Sequence, residues 1–331
     1  YKNEEFDIKI YSLNISPELL DAELHLEKKS IVRSRRPLFL RRLMHAKLKF
    51  PLLSSMEHES IMHYFSIPTY GTTKNVKTVL ELPTIKEFTT PEFFNTKAHL
   101  FNYIKLMDTA DILITHSAFM AEELASKLFI DESKIRVIPR GFTEKPPVCD
   151  IEQYRLPEKF ILFAGRITKY KNLERLFKSF KKAAPSDTTL VIAGDTPGPY
   201  MESLKKFAAS MPEDNIKFIG YVDKKIMPSI MSMATALVEP SHINDFPDTI
   251  IEAQNAGTAV IASDIRAHRS VCDDSVIYFS SLSEKEMADA IEAVTVNSSS
   301  RNPLIRAGKI NAEKYHWDNV APLYRDLYKS L

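Results

Sequence analysis

The chain has 331 residues, 44% of them hydrophobic, a length that favours two domains of ordinary size, each with its own core. Its 44 lysines and arginines nearly balance 43 aspartates and glutamates, and the formal charge of +1 argues against a protein that binds nucleic acid with its whole surface. The two cysteines, Cys149 and Cys272, lie far apart without metal-ligand spacing, which argues against a disulfide framework or a zinc site and fits a reduced, cytoplasmic protein.

Short apolar, β-branched segments alternate with longer amphipathic ones along the chain. Strands separated by helical segments indicate parallel sheets of the α/β class. We therefore predict two Rossmann-like, doubly wound domains facing a cleft, with ligands bound beyond the carboxyl ends of the strands. The predicted strands are, in chain order, FDIKIYSL, SIMHYFSI, VKTVLEL, ADILITHS, KIRVIPRG, KFILFAGR, TLVIAGD, NIKFIGYV, TALVEPS, TAVIASD and SVIYFS.

Paired prolines and charges mark the predicted domain boundary in TEKPPVCDIEQYRLPEKF, residues 143–160. We place the division between residues 148 and 149. At the other end, Tyr1 leads almost directly into the strand-like DIKIYSLN, so we expect residues before it to be missing.

Two cations follow the predicted strand KFILFAGR. Arg166 comes directly after Gly165 at the tip of the strand, and Lys171 lies five residues later at the start of an amphipathic helix. Both could reach one anion, Arg with a planar fork of donors and Lys with a mobile charge, a combination suited to stabilising a diphosphate leaving group. The alternative is a basic loop whose charges are solvated.

Glu252 lies within the first two turns of the predicted helix TIIEAQNA, after the strand ALVEPS and the loop HINDFPD. The backbone N–H groups of Asp248, Thr249 and Ile250 are expected to be unpaired and to form an anion site. A carboxylate one turn deeper could accept hydrogen bonds from neutral hydroxyls such as a ribose diol. The alternative is an ordinary helix glutamate, favoured there by the helix dipole.

An ordered set of segments resembles a known family. GRITKYKNLERL, LVIAGD, IKFIGYVDKKIMPSIMSMATALVEPS and FPDTIIEAQNAGTAVIASD are similar to the C-terminal domain of the retaining glycosyltransferases of GT-B fold, family 4 (glycosyl transferases group 1). ADILITHSAFMAEEL and KIRVIPRGF resemble the end of the N-terminal domain, and YHWDNVAPLYRDLY the closing helix that crosses back onto it. The resemblance implies an acceptor-binding domain over 1–148, a donor domain over 149–312 and the closing helix over 313–331.

The resemblance also implies roles for individual residues. Arg166 and Lys171 would bind the donor diphosphate and act in catalysis, and Glu252 would hold the donor ribose. The nucleobase would be contacted mostly by backbone after IKFIG, and no metal or other cofactor is expected because cations and a helix terminus stabilise the diphosphate. The predicted donor-binding residues are Gly165, Tyr221, Val222, Asn244, Asp245, Phe246, Asp248, Thr249 and Glu252.

The sequence departs from the family pattern in the donor loop. Counting back eight positions from Glu252 gives Asn244, where the family has the first glutamate of its E-x7-E motif. That glutamate contacts the transferred sugar, and an amide can still bridge sugar hydroxyls as donor and acceptor. Asp245 could substitute only if the loop shifted by one residue.

Two further departures lie in the first half. Many relatives carry a His after the strand matching KTVLEL, where this chain has Leu80 followed by Glu81; His63 and His116 are the nearest alternatives, and we expect both to be structural. The chain has only 8 glycines and none before Gly71, so the first βα unit with its Gly-rich phosphate loop lacks a counterpart.

Residues 28–50 mix many cations with Leu, Phe and Met and contain no acid. This stretch could rest on an anionic membrane surface or contact a lipid-linked acceptor. The alternative is a basic helix that covers the sheet with its cations in solvent, limited in extent by Pro37. No apolar run reaches the length of a membrane span, so we expect a soluble or peripheral protein.

The sequence thus favours a retaining glycosyltransferase that moves a hexose from a nucleoside diphosphate sugar to a hydroxyl of a glycan or lipid-linked acceptor, in the cytoplasm or at the inner face of a membrane. The alternative is a catalytically silent GT-B protein that acts as a partner or binds a nucleotide sugar without turnover. A dinucleotide-dependent oxidoreductase would need a G-x-G-x-x-G turn, which the sequence lacks.

Overall fold

The computed structural model describes residues 10–12, 31–33, 61–65, 76–85, 104, 107–142, 150–211, 215–296 and 298–331. By the contacts between its residues the chain divides into two compact units, residues 1–62 with 68–77 and residues 63–67 with 78–331. The predicted division between residues 148 and 149 stays a prediction, and Cys149 lies outside the described residues.

In the smaller unit, β1 (Ile10–Ser12) pairs in parallel with β2 (Ile31–Arg33), with Ser12 opposite Arg33. β2 falls within the basic stretch 28–50, for which a helix was one prediction, so that prediction is wrong over these three residues. The β-branched pair in IVR suits a strand. The rest of the stretch lies outside the described residues.

The larger unit contains the strands that follow, except for their residues Ile61, Met62 and Lys77, which fall in the smaller unit. β3 (Ile61–Tyr64), β4 (Lys77–Glu81), β5 (Ile112–Thr115) and β6 (Ile135–Val137) form a sheet of four strands in sequence order, and β4–β5 and β5–β6 pair in parallel. The strand β5 is buried along its whole length. Directly after it, the Ser117 hydroxyl accepts a hydrogen bond from the Met120 N–H at 3.2 Å and caps helix α1 (Ala118–Leu128).

The second sheet has six strands in the order β12-β11-β10-β7-β8-β9, and all neighbours are parallel. The chain runs outward from β7 to β9 and then returns to the other side of β7 with β10. The strands are β7 (Phe160–Ala164), β8 (Thr189–Ala193), β9 (Ile216–Gly220), β10 (Ala236–Glu239), β11 (Val260–Ser263) and β12 (Ile277–Phe279).

Helices cover both faces of this sheet. Ile161 and Phe163 pack into one apolar cluster with Phe177, whereas Phe160 and Leu162, on the opposite face of the same strand, pack into another. Burial on both faces explains why the strands read as almost continuous apolar runs. The remaining helices are α2 (Leu173–Ala183), α3 (Pro199–Ala209), α4 (Met227–Met233), α5 (Asp248–Asn255), α6 (Arg266–Cys272), α7 (Glu284–Thr295), α8 (Ser298–Glu313) and α9 (Trp317–Ser330).

The last helix is tied to the segment after β6. The Phe142 N–H donates to the Tyr315 carbonyl at 2.7 Å, and the Trp317 N–H donates to the Phe142 carbonyl at 3.1 Å. A Cβ atom at Gly141 would lie 2.4 Å from the Trp317 ring, so only glycine fits there. These contacts hold α9 against the four-stranded part of the unit. The parallel α/β class predicted from the sequence is confirmed.

Candidate functional site

The strand order creates a topological switch point between β7 and β10. In open parallel sheets the connections leaving two such strands run to opposite sides, which opens a crevice at their carboxyl ends. Gly165 directly follows β7 with φ +146°, a conformation that favours glycine. Arg166 follows on the surface and has no hydrogen bond or ion pair with the described residues.

Lys171 lies at the end of a short 3-10 turn and reaches the switch point. The next residue, Asn172, is left-handed (φ 58°) and donates through its amide to the carbonyls of Pro240 at 3.2 Å and Ser281 at 2.8 Å, which fixes the turn. The Lys171 ammonium lies 3.0 and 3.2 Å from the two carboxylate oxygens of Glu239. The sequence prediction of a mobile charge is therefore wrong, because Lys171 is held in an ion pair.

Glu239, the partner of Lys171, is a residue of this candidate site that sequence reasoning missed. It is the last residue of β10 and is 1% exposed. It also accepts hydrogen bonds from the hydroxyl and the N–H of Ser241. Burial acts to raise the pKa of Glu239, but the charge of Lys171 and the hydrogen bonds from Ser241 and Lys171 hold that pKa below its usual value. The signal in the sequence was an acid directly after the apolar ALV of ALVEPS.

The amide of Asn244 is held by the protein. Its Oδ1 accepts from the Asp245 N–H at 3.0 Å, and its Nδ2 lies 3.2 Å from Nε2 of the fully buried His268. His268 Nδ1 lies 2.8 Å from the Ser263 carbonyl, so we assign the proton to Nδ1 and let Nε2 accept from Asn244. Asn244 therefore fixes the loop in addition to any contact it makes with a sugar.

The next two side chains face the four-stranded sheet. The Asp245 carboxylate accepts a hydrogen bond from the Thr84 hydroxyl at 2.5 Å. Its substitution for the family glutamate stays a prediction. The Phe246 ring is 3% exposed and packs edge-on against His116 and Tyr315, with centroids 6.3 and 5.8 Å apart. The donor-binding role of their backbone atoms stays a prediction.

The predicted anion site at the start of α5 is only partly present. The Asp248 N–H donates to the Phe246 carbonyl and the Ile250 N–H to the Pro247 carbonyl, each at 3.0 Å. The expectation that these groups are unpaired is wrong, because the first turn closes onto the preceding loop. Of the three, the Thr249 N–H alone has no hydrogen bond within the described part of the chain.

Glu252 lies one turn after Asp248 on α5 and is partly buried. Burial, followed by the negative charge of Asp248, raises the pKa of Glu252 to about 7, while Lys224 acts in the opposite direction. Within the described residues its carboxylate has no hydrogen bond or ion pair. A partly desolvated carboxylate without a protein partner can be satisfied by ligand hydroxyls.

The residues predicted to contact a nucleobase follow β9. Gly220 ends the strand with φ +73°, Tyr221 is 71% exposed and Val222 is buried. The Gly220 carbonyl accepts a hydrogen bond at 2.7 Å from the N–H of Gly194, which follows β8. The nucleobase role stays a prediction.

A second polar cluster lies at the carboxyl end of the four-stranded sheet. The Glu81 carboxylate lies 3.3 Å from His63 Nε2 and 3.6 Å from His116 Nε2, and it accepts from the Tyr324 hydroxyl at 2.9 Å. Nδ1 of His63 also lies at hydrogen-bond distance, 2.6 Å, from the Tyr328 hydroxyl. Sequence reasoning named both histidines and Glu81 singly, and only the fold brings them together.

The charges of this cluster are set by its surroundings. Burial acts to raise the pKa of Glu81, but the hydrogen bond from His63 and the charges of both histidines keep it below its usual value. Burial and the nearby Arg140 lower the pKa of His116. Arg140 itself donates to the Asp248 carboxylate at 2.7 Å, which connects this cluster to the start of α5.

A cavity of about 360 Å³ lies between α1, α6 and the loop before Phe246. Its lining includes Phe119, Glu123, Asn244, Asp245 and Arg266. No group of three or more His, Cys, Asp or Glu side chains among the described residues could hold a metal ion. No helix in the described part of the chain is long and apolar enough to cross a membrane.

The family model for glycosyl transferases group 1 matches residues 150–311. An uncharacterized glycosyltransferase of Methanocaldococcus jannaschii is 25% identical over 81% of this chain and 75% of its own length. The O-antigen chain mannosyltransferase RfbU of Salmonella typhimurium is 26% identical over 63% of this chain and 58% of its own length, so this chain spans less than two thirds of that relative.

A solved structure with a similar fold is that of HepE from Anabaena in complex with UDP and glucose. It superposes with a TM-score of 0.77 at 16% identity, over 95% of this chain and 89% of its own. This likeness shows the fold, and the GT-B architecture predicted from the sequence is confirmed.

Proposed function

We propose that this chain, whose residues 150–311 match the family model for glycosyl transferases group 1, moves a hexose from a nucleoside diphosphate sugar to an acceptor hydroxyl with retention of configuration. The single observation that carries this proposal is the arrangement at the switch point. There Lys171 lies on a buried carboxylate, and within the described residues neither Arg166 nor Glu252 has a hydrogen bond or ion pair.

The donor side follows from these groups. The diphosphate would lie over the tip of β7, where the Arg166 guanidinium and the Lys171 ammonium can both meet its oxygens. The Glu252 carboxylate would accept hydrogen bonds from the two ribose hydroxyls. The complexes of Anabaena HepE contain UDP with glucose and UDP-glucose, which makes uridine the first base to test.

The reaction requires no protein base in this proposal. As the sugar–phosphate bond breaks, negative charge builds on the leaving diphosphate and is stabilised by Lys171 and Arg166. The acceptor hydroxyl attacks from the face that the diphosphate leaves, forms the new glycosidic bond and gives its proton to the departing phosphate oxygen. We propose that no metal or other cofactor takes part, and that activity persists in EDTA.

The acceptor is proposed to be a glycan or a lipid-linked molecule. The mannosyltransferase RfbU is by name an O-antigen chain enzyme, which supports a glycan acceptor. The cavity beside Asn244 has charged and aromatic walls that suit sugar hydroxyls and ring faces.

We further propose that the protein works in the cytoplasm and that residues 28–50 can bind the inner face of a membrane, since this segment has cations and no acid. Flotation with anionic vesicles at varied salt tests the membrane proposal. Absence of binding at every salt concentration would overturn it.

The decisive experiment is a screen of UDP-, GDP- and ADP-sugars by calorimetry on the full chain, followed by an assay of diphosphate release with and without EDTA. Binding of one sugar nucleotide with release of its diphosphate supports transfer and identifies the donor. Binding without release would overturn the transfer reaction and favour a silent, nucleotide-sugar-binding protein.

A further inference from the structure

The pair formed by Lys171 and Glu239 is unusually enclosed for two charged groups. The side chains are 12% and 2% exposed, and the Glu239 carboxylate accepts hydrogen bonds from the Lys171 ammonium and from the hydroxyl and N–H of Ser241. These donors leave the carboxylate little freedom to rotate. The ammonium is therefore held in one place at the end of β10.

That place is the switch point itself. A Cβ atom on Gly165 would lie 3.8 Å from Lys171 Cε and 3.9 Å from Lys171 Nζ, so the lysine crosses from the tip of β7 to the end of β10. Stability alone does not explain such a pair, because the cost of burying two charges is close to the gain from their attraction. What the pair provides is a fixed charge at a defined position.

We propose that Glu239 is a positioning residue that holds the Lys171 ammonium where the leaving diphosphate develops its charge. This inference rests on the proposed transfer reaction. Before the sugar–phosphate bond breaks, Glu239 balances the Lys171 charge, so the ground state is not bound too tightly. As charge builds on the diphosphate, the interaction with Lys171 strengthens, and an interaction stronger in the transition state raises kcat.

The first test is Glu239→Gln, which keeps the shape and removes the charge. We expect kcat to fall about 10- to 100-fold, somewhat less than for loss of a direct donor. The Kd for UDP should stay within about threefold or become tighter, because the interaction with Lys171 strengthens in the transition state and Glu239 offsets it in the ground state. Asp187→Asn, which breaks an exposed pair with Lys159 at the amino edge of the same sheet, is the matched control and should leave both quantities unchanged.

If Glu239 only supports the fold, Glu239→Gln should give a different result. Loss of folded protein would lower kcat and the fraction of UDP-binding sites in the same proportion, and that result would overturn the proposal. A kcat equal to that of the unaltered protein would overturn it as well. A fall in kcat without a matching change in the Kd for UDP is the result that only a positioning role explains.

The second test needs no turnover. Lys171→Met leaves a buried, unpaired carboxylate and should lower Tm, and adding Glu239→Gln should restore most of the loss. Additive changes in Tm would show that the two side chains are not coupled and would overturn the inference. A chain that releases no diphosphate from any sugar nucleotide would instead defeat the transfer reaction, so the two failures are distinguishable.

Discussion

The carboxyl edges of the two sheets differ in how far their ionisable groups are satisfied by the protein. On the four-stranded sheet, Glu81 accepts from Tyr324 and lies against both His63 and His116. On the six-stranded sheet, Glu252 and Arg166 have no hydrogen bond or ion pair with the described residues. Polar groups that have no protein partner are available to a ligand. The edge of the six-stranded sheet therefore has the features expected of a donor-binding site, whereas at the edge of the four-stranded sheet the polar side chains bond to one another.

The largest expected effect is a loss of kcat on replacing Lys171. Lys171→Ala should reduce kcat for transfer about 10²- to 10³-fold, because it removes a cation from the developing charge of the diphosphate. The rate of diphosphate release measures it, with circular dichroism to show that the fold is kept. Lys159→Ala, at the amino edge of the same sheet, is the control; equal activity in the two variants would remove Lys171 from the mechanism.

The next effect concerns nucleotide affinity. Glu252→Gln should weaken binding of UDP about 10- to 100-fold, since hydrogen bonds from hydroxyls to a carboxylate are worth about 1.5 to 3 kcal/mol. Calorimetry at pH 8, where the carboxylate is charged, measures the change. Uridine-free diphosphate should bind both proteins alike, and an unchanged Kd for UDP would contradict the ribose role.

The same residue predicts a pH effect on stability. The pKa of folded Glu252 is raised to about 7 from its ordinary 4.5, so the folded state binds the proton more tightly than the unfolded state. Between these values, stability contributed by this group is lost as pH rises. Glu252→Gln should therefore unfold at a higher Tm than the unaltered protein at pH 8, with the difference vanishing near pH 4. A Tm difference that does not vary with pH would contradict this.

Glu81, at the edge of the four-stranded sheet, should show the opposite pH dependence of stability from Glu252. Glu81→Gln removes the charge between two histidines and should lower Tm by a few degrees at pH 7 while leaving the Kd for UDP unchanged. Because the pKa of folded Glu81 is below its usual value, its contribution is present above about pH 4.5 and is lost as pH falls further. A change in UDP affinity with no change in Tm would show that the two edges are not separate in function.

The smallest change in Tm is expected on breaking the ion pair between Arg140 and Asp248, which connects the edges of the two sheets. Arg140 and Asp248 form an ion pair about one third exposed on each side, and such pairs contribute about 0 to 1 kcal/mol. Arg140→Ala should shift Tm by less than Glu81→Gln does. Thermal unfolding of both variants in one buffer checks the order, and the reverse order would mean that Arg140 has a larger structural role than its exposure indicates.

Much of the region around the six-stranded sheet could be predicted from the sequence. Its six strands were each identified, because buried parallel strands form apolar runs that end at glycine or polar residues. The four-stranded region was harder to predict, since its polar network joins strand ends to residues far along the chain, and Tyr324 lies more than two hundred positions from Glu81. Local patterns carry no information about such contacts.

The sequence by itself predicted the α/β class, the resemblance to a glycosyltransferase family and Arg166, Lys171 and Glu252 as candidate site residues, because strand periodicity and motif spacing are local properties. Only the tertiary structure decided how these groups are paired. It paired Glu239 with Lys171, closed the first turn of α5 onto its loop and left Glu252 without a hydrogen bond or ion pair among the described residues. Partners and burial depend on which strands become neighbours, and the crossing from β9 back to β10 fixes that choice.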